Sequence, residues 1–307
     1  MARTLRSTPM PETIPDDPLT PGCLYVVATP IGNLGDLSPR ALAVLSAVDA
    51  ICAEDTRMTS QLLAHFGLKK PLKALHDHNE DQLAAELIQQ LQVGRTLALV
   101  SDAGTPLVSD PGYALVRAAR AAALTVQAVP GPCAVTAALS IAGLPTDEFT
   151  FAGFLPAKPS ARRARLQALA AESRTWVVYE APHRIVECVE DLATVLGSER
   201  RVFLARELTK RFEQSVQLPA AALVEWIKAD ANRQRGEFVL VVAGVAASST
   251  QAAHEPRALL RVLLTELPPA RAARLAATLT GEKRQVLYQW ALEQGAKPEA
   301  DGEEIAR

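Results

Sequence analysis

Residues 96–100 form a short apolar run, Thr-Leu-Ala-Leu-Val, that stops at Ser101-Asp102-Ala103-Gly104-Thr105-Pro106. Ser109 and Asp110 are candidate helix N-caps after it, and Pro111 suits a first helical position. The stretch reads as strand, loop, helix, with the Asp102 carboxylate at the strand's tip. Gly104 has no Cβ, so another group can approach its backbone closely. The same pattern repeats on both sides. Residues 24–28 are apolar, Thr29-Pro30-Ile31-Gly32-Asn33 is a loop, and Ser38-Pro39 opens a helix. Residues 50–53 are tipped by Glu54-Asp55-Thr56-Arg57, before a helix that stops at Gly67. Residues 72–75 are a short strand, and Leu83, Leu87, Ile88 and Leu91 lie at helical spacing. A helix over 113–122, a strand over 125–129 and a turn at Pro130-Gly131-Pro132 lead into a last helix ending at Ala142. Strands alternating with helices predict right-handed βαβ units and a parallel sheet over 22–145. In such sheets ligands bind beyond the carboxyl ends of the strands.

Gly143-Leu144-Pro145-Thr146 marks a boundary, and a second α/β domain is predicted over 146–246. Its strands are 149–154, 175–179, 202–205, 215–218 and 238–243, with helices starting near Ser160, Pro182 and Ala220. Small residues from Ala246 read as a linker. A helical unit follows over 255–295, with Pro268-Pro269 and Gly281 as breaks; it is either helix-turn-helix-like or a packing appendage. Residues 1–21 carry Pro9, Pro11, Pro15 and Pro18 and read as a disordered or extended tail, and the polar end from Gly295 as frayed. At 307 residues and 49% hydrophobic, the chain has material for a sizeable core. A net charge of −2 gives no global basic field, so any nucleic acid must bind a local patch. Cys23, Cys52, Cys133 and Cys188 are far apart, which suggests neither zinc site nor disulfide framework and fits a reducing cytoplasm. No apolar run approaches the ~18 residues of a membrane span, and no signal peptide is expected.

The loops carry the chemistry. Neither a GxGxxG nor a GxxxxGK[ST] fingerprint follows the first strand, which weighs against a dinucleotide or nucleoside triphosphate. Glu54 and Asp55, adjacent at a strand tip, face opposite ways; Asp55 capping a helix and pairing with Arg57 is as good a reading as catalysis. Tyr179-Glu180-Ala181-Pro182-His183-Arg184 puts cations in a first helical turn, against the helix dipole, a cost that a bound anion would offset. Lys158, Arg162, Arg163 and Arg165 form a basic cluster, and Arg206-Glu207-Leu208-Thr209-Lys210-Arg211 adds three more cations. Together they make a candidate rim for a phosphate backbone, against the plainer reading of a solvated face. In the helical unit, Arg257, Arg261, Arg271, Arg274, Lys283 and Arg284 outnumber Glu255, Glu266, Glu282 and Glu293.

Several stretches together resemble the tetrapyrrole (corrin/porphyrin) methylase superfamily, and within it the ribosomal RNA small-subunit methyltransferases. They are LYVVATPIGNLGDLSPRAL (24–42), AEDTRMTSQLL (53–63), SDAGTPLVSDPG (101–112), VPGPCAVTAALSIAGLP (129–145), FAGFLPAKPSARR (151–163), YEAPHRI (179–185), ARELTKRFE (205–213) and RGEFVLVV (235–242). The resemblance implies two α/β domains, a parallel-sheet one and a mixed-sheet one, with S-adenosylmethionine in the cleft between them. It further implies methyl transfer to a cytidine ribose 2′-hydroxyl of 16S ribosomal RNA in the small (30S) subunit, by a cytoplasmic homodimer. The expected cofactor residues are Pro30, Gly32, Asp102, Ala103, Gly104, Pro106, Ser109, Ala134 and Tyr179. Candidate catalytic groups are Glu54, Asp55, Asp102, Glu180 and His183. Candidate RNA contacts are Lys158, Arg162, Arg163, Arg184, Arg206 and Lys210. The chemistry requires no metal. Two other functions stay open: a small-molecule (tetrapyrrole) methyltransferase, and a non-catalytic RNA-binding assembly factor on the same fold.

Overall fold

The structure is a computed structural model that describes residues 19–76, 79–245 and 256–294. The expectations for the proline-bearing tail up to residue 18, the linker over 246–255 and the end from residue 295 lie outside the described residues. The chain divides into two compact units, the first ending at Gly244 and the second starting at Val245.

The first unit holds two five-stranded sheets. One comprises β1 (Leu24–Val27), β2 (Ala50–Ala53), β3 (Leu72–Ala74), β4 (Leu97–Val100) and β5 (Val126–Val129), alternating with α1 (Pro39–Ala47), α2 (Thr56–His65), α3 (Glu80–Gln92), α4 (Tyr113–Ala121) and α5 (Ala134–Ala142). It is parallel throughout, in the order β3-β2-β4-β1-β5. Both faces are covered, as a parallel sheet requires. Tyr25, Val27, Ile51 and Ala53 pack with Ala41, Leu45 and Leu63 of α1 and α2 on one side. Leu24, Cys52, Leu97 and Leu99 pack with Leu87, Leu91 and Leu115 of α3 and α4 on the other. The period-2 alternation of the strands assigns each residue its side. α1 begins where Ser38 accepts a hydrogen bond from the Ala41 amide at 3.0 Å and Pro39 supplies a preset φ.

The other sheet comprises β6 (Phe149–Phe154), β7 (Thr175–Glu180), β8 (Arg201–Arg206), β9 (Gln214–Pro219) and β10 (Phe238–Val242), with α6 (Pro159–Leu169), α7 (Ile185–Leu196) and α8 (Ala220–Lys228). Its order is β6-β7-β10-β8-β9, with β6 and β7 parallel and the other pairings antiparallel. Trp176, Val178, Leu204 and Leu240 face Leu166, Cys188, Leu192 and Leu223 of α6 to α8. The opposite face is covered by α5, whose Val135, Ala138, Leu139 and Ala142 pack on Val177, Phe203, Val239 and Val241. The last helix that the sequence attaches to the first sheet thus packs on the second, and Gln217 clamps it by donating to the Ala142 carbonyl at 2.9 Å.

Two helix starts differ from expectation. α4 starts at Tyr113 with Gly112 as its cap, so Ser109, Asp110 and Pro111 stay in the loop. Leu107 and Ser109 take left-handed φ of 71° and 70°, and Gly112 reaches 125° with its backbone against Leu99. The chain spends those residues turning before it can coil. Pro182 opens a three-residue 3-10 turn, and α7 begins only at Ile185.

The described residues of the second unit form three helices: α9 (Pro256–Leu263), α10 (Pro269–Thr280) and α11 (Arg284–Glu293). Leu260, Ala272, Ala273, Ala276, Leu287 and Ala291 make its core. Arg257 and Arg261 lie over the Trp290 ring at 5.9 and 5.8 Å.

Candidate active site

The loops after β1 and β4 are stapled together. The Thr29 amide donates to the Gly104 carbonyl at 2.8 Å, and the Gly104 amide donates back to Thr29 at 3.1 Å. The Thr29 hydroxyl donates to the Ser101 carbonyl at 3.2 Å, and the Thr105 hydroxyl to the Pro132 carbonyl at 3.0 Å. Gly104 holds φ of 89°, and an added Cβ would sit 3.2 Å from the Ile31 side chain. Its glycine therefore answers a backbone and packing demand. The strand tips are joined as well: the Asp55 amide donates to Asp102 Oδ1 at 2.9 Å.

These loops form part of a cavity of about 430 Å³ that the second sheet completes. That volume is within the ~300–1,000 Å³ of small-molecule sites. Asp102, Ala103, Gly104, Ser109, Ala134 and Tyr179 line it, as do Glu54 and Glu180. Apolar wall comes from Ile31, Val108, Phe154, Leu208 and Val239. Its charged lining residues, among those described, are Glu54, Asp102, Asp110, Glu180 and Glu237, all acidic. Glu180 is answered by Arg184 Nε at 2.8 Å and Glu237 by Lys210 at 3.1 Å. Burial, together with the charges of Glu54 and Asp102, pushes the Asp110 carboxyl up to about 6 against a hydrogen bond from Ser101. Burial likewise raises the Tyr179 phenol. Asp55 goes the other way: hydrogen bonds from Arg57 and its backbone hold it at about 2.

Other expected residues are not among those lining the cavity. Pro30 and Pro106 are buried and Gly32 is exposed, and none of the three lines the cavity. What approaches Gly32 closely is the Lys210 side chain, whose Cγ lies 2.4 Å from where a Cβ would be. Asp55 caps α2 and chelates Arg57 at 2.8 to 3.1 Å through Oδ1, which occupies it structurally. His183 is exposed on the 3-10 turn, outside the cavity lining.

The expected basic rim is partly internal. Arg162 is 1% exposed, with Nε 2.6 Å from Asp191 Oδ2; a side chain buried in an ion pair cannot reach a phosphate. Arg206 is 8% exposed and donates to the Arg235 carbonyl at 3.1 and 2.9 Å, so it too is withdrawn from the surface. Arg184 is tied to Glu180, and Lys210 to Glu207 and Glu237. Lys158 and Arg165 are exposed, as is Arg163, whose Nε donates to Asp191 Oδ1 at 2.7 Å.

Sequence reasoning missed Asp110 and Phe154 as cavity residues. Asp110 looked like a helix cap because Pro111 follows it. Phe154 is 53% exposed, and an irregularity in β6 that composition does not reveal puts it there.

The family described as Tetrapyrrole (Corrin/Porphyrin) Methylases matches residues 23–224, and the RsmI C-terminal HTH domain matches residues 250–295. The chain is 58% identical to a ribosomal RNA small subunit methyltransferase I of Xylella fastidiosa, over 88% of this chain and 98% of the relative. A protein of the same name from Pseudomonas aeruginosa is 53% identical over 91% of this chain and 100% of the relative. Among solved structures, the methyltransferase CobJ superposes with a TM-score of 0.55 at 20% identity, over 73% of this chain and 95% of that one, a likeness of fold. The chain belongs to the tetrapyrrole (corrin/porphyrin) methylase family and groups, within it, with the ribosomal RNA small subunit methyltransferases I.

Proposed function

We propose that this protein methylates a cytidine ribose 2′-hydroxyl in 16S ribosomal RNA, with S-adenosylmethionine as donor. The observation that carries the donor is the acid-only charge of the cavity set in apolar walls. S-adenosylmethionine is a sulfonium cation with apolar and aromatic parts, and it fits both features. A tetrapyrrole precursor, which carries several carboxylates, would meet like charges at Glu54, Asp102 and Asp110. The close relatives supply the RNA.

Asp102, Ala103, Gly104, Ser109 and Ala134 would hold the cofactor from the first sheet's side, with Tyr179 from the other. When bound, it supplies an electrophilic methyl carbon. The chain's own task is to orient a ribose hydroxyl and take up its proton. Asp110 is the cavity carboxylate assigned to that, because burial beside Glu54 and Asp102 favours its taking up a proton. Asp55 is committed to Arg57 and Glu180 to Arg184. A base poised near 6 works close to neutral pH. Exposed Lys158 and Arg163 would contact phosphates. The substrate is the RNA within the 30S particle, the enzyme works as a homodimer, and its place is the cytoplasm. Among the described residues no helix is long and apolar enough to cross a membrane.

Calorimetry tests the reading of the cavity. Micromolar binding of S-adenosylmethionine, with no displacement by a polycarboxylate tetrapyrrole, is the expected result. Tight tetrapyrrole binding would favour the small-molecule reading, and cofactor binding without methyl transfer would favour the assembly-factor reading.

A further inference from the structure

β6 pairs with β7 so that Phe151 lies beside Val177 and Phe154 beside Tyr179. Three steps along β6 match two along β7, so β6 carries one extra residue, a bulge. In a regular strand, residues three apart face opposite sides. Here Phe151 and Phe154 both pack edge-on to Tyr179, with centroids 5.1 and 5.5 Å away. Gly153, at φ of 65°, makes the turn, and an added Cβ there would meet Ser109 Oγ at 3.6 Å. The bulge thus delivers Phe154 to the lip of the cavity, where it lines the space and remains half in water. A lone exposed aromatic needs no explanation. One re-aimed by a bulge beside an active-site cavity does.

Along the chain the charge changes sign past this ring. Behind it lies a cavity whose charged lining residues are carboxylates. Ahead of it the chain runs through Leu155-Pro156-Ala157 to Lys158, the N-cap of α6, and on to Arg163 and Arg165, all three exposed. An aromatic face beside a run of cations is how proteins hold unpaired nucleic acid: the ring stacks a base and the cations take phosphates.

We propose that Phe154 is the stacking platform for the base of the target nucleotide, fixing its ribose at the cavity mouth. The proposal rests on the ribosomal RNA reading above. The other planar group that the ring could cover is the adenine of the cofactor. The ring's half-exposed position favours the incoming nucleotide over a ligand enclosed in the cavity.

The test compares wild type, Phe154→Ala and Phe154→Trp on small-subunit particles, alongside calorimetry with S-adenosylmethionine. Loss of one base stack is expected to lower kcat/KM about ten- to a hundredfold in Phe154→Ala. The loss should fall mainly on KM for the particle; Phe154→Trp should recover most of it, and affinity for S-adenosylmethionine should fall far less than kcat/KM does. An unchanged kcat/KM in Phe154→Ala overturns the proposal and leaves the RNA reading standing. A parallel fall in cofactor affinity also overturns it and assigns the ring to adenine. A wild-type protein that transfers no methyl to the particle removes the reading beneath, and the proposal with it.

Discussion

Asp110 and Arg162 show how tertiary surroundings decide what a charged residue does. In Asp110 the folded state favours the neutral acid, raising its pKa to about 6, chiefly by burial. For a raised carboxylate the cost of charge is absent below the ordinary carboxylate pKa and complete above about 6. Asp110→Asn should therefore stabilise the protein at pH 7, by about 1 kcal/mol once solvent screening of a half-exposed group is allowed for. The gain should vanish near pH 4. Methyl transfer should rise with pH through about 6 in the wild type and be lost in Asp110→Asn. Thermal melts and pH–rate profiles check both halves; an active Asp110→Asn with the wild-type profile would exclude it as the base. Arg162 and Arg163 are neighbours in sequence and both pair with Asp191, yet Arg162 is buried and Arg163 is exposed. Burial alone would raise Asp191, but hydrogen bonds from Arg163 and Arg162 outweigh it and hold the carboxyl low. Arg162→Ala should cost about 3 kcal/mol of stability, because it removes a fully buried partner and leaves Asp191 to Arg163 alone. Arg163→Ala should cost little and flatten the salt dependence of RNA binding by a slope of about one. Denaturant melts and binding titrations separate them. No sequence pattern distinguishes the two, because both follow the same basic run and only α7 decides which is covered.

Individual elements were far more legible. The periodicity of the strands and the Ser38-Pro39 start of α1 were readable because local chemistry alone dictates them. The loop after β4 was readable as a ligand loop but not in its course. Leu107 and Ser109 occupy left-handed φ against their own preference, and backbone strain of that kind is held in place by surroundings and gathers at functional sites. The bulge in β6 was hidden as well, because it shows only in the register of its pairing with β7. Gly104 could be picked out in the sequence, but as a gap for a ligand; in the fold its φ of 89° and Ile31 at 3.2 Å explain it. Gly104→Val should accordingly loosen the Thr29–Gly104 staple and lower the melting temperature as well as cofactor affinity. A fully stable variant without cofactor binding would restore the ligand-gap reading.

The whole molecule places an acid cavity between two sheets and adds a separate helical unit with many arginines. If that unit serves the RNA, truncation after Ala247 should leave a folded, dimeric protein that binds the cofactor but methylates the 30S particle poorly. Full activity in the truncated chain would remove the unit from substrate recognition, and a monomer in sedimentation of the full chain would exclude the dimer. Methyl transfer to a ribose of the small-subunit RNA can be observed by incubating purified protein and isotopically labelled S-adenosylmethionine with particles lacking the modification, then mapping 2′-O-methyl groups in the RNA. One labelled cytidine ribose, absent when Asp110→Asn replaces the wild type, is the result predicted. Label on a base, on a small molecule, or nowhere in the RNA would contradict it.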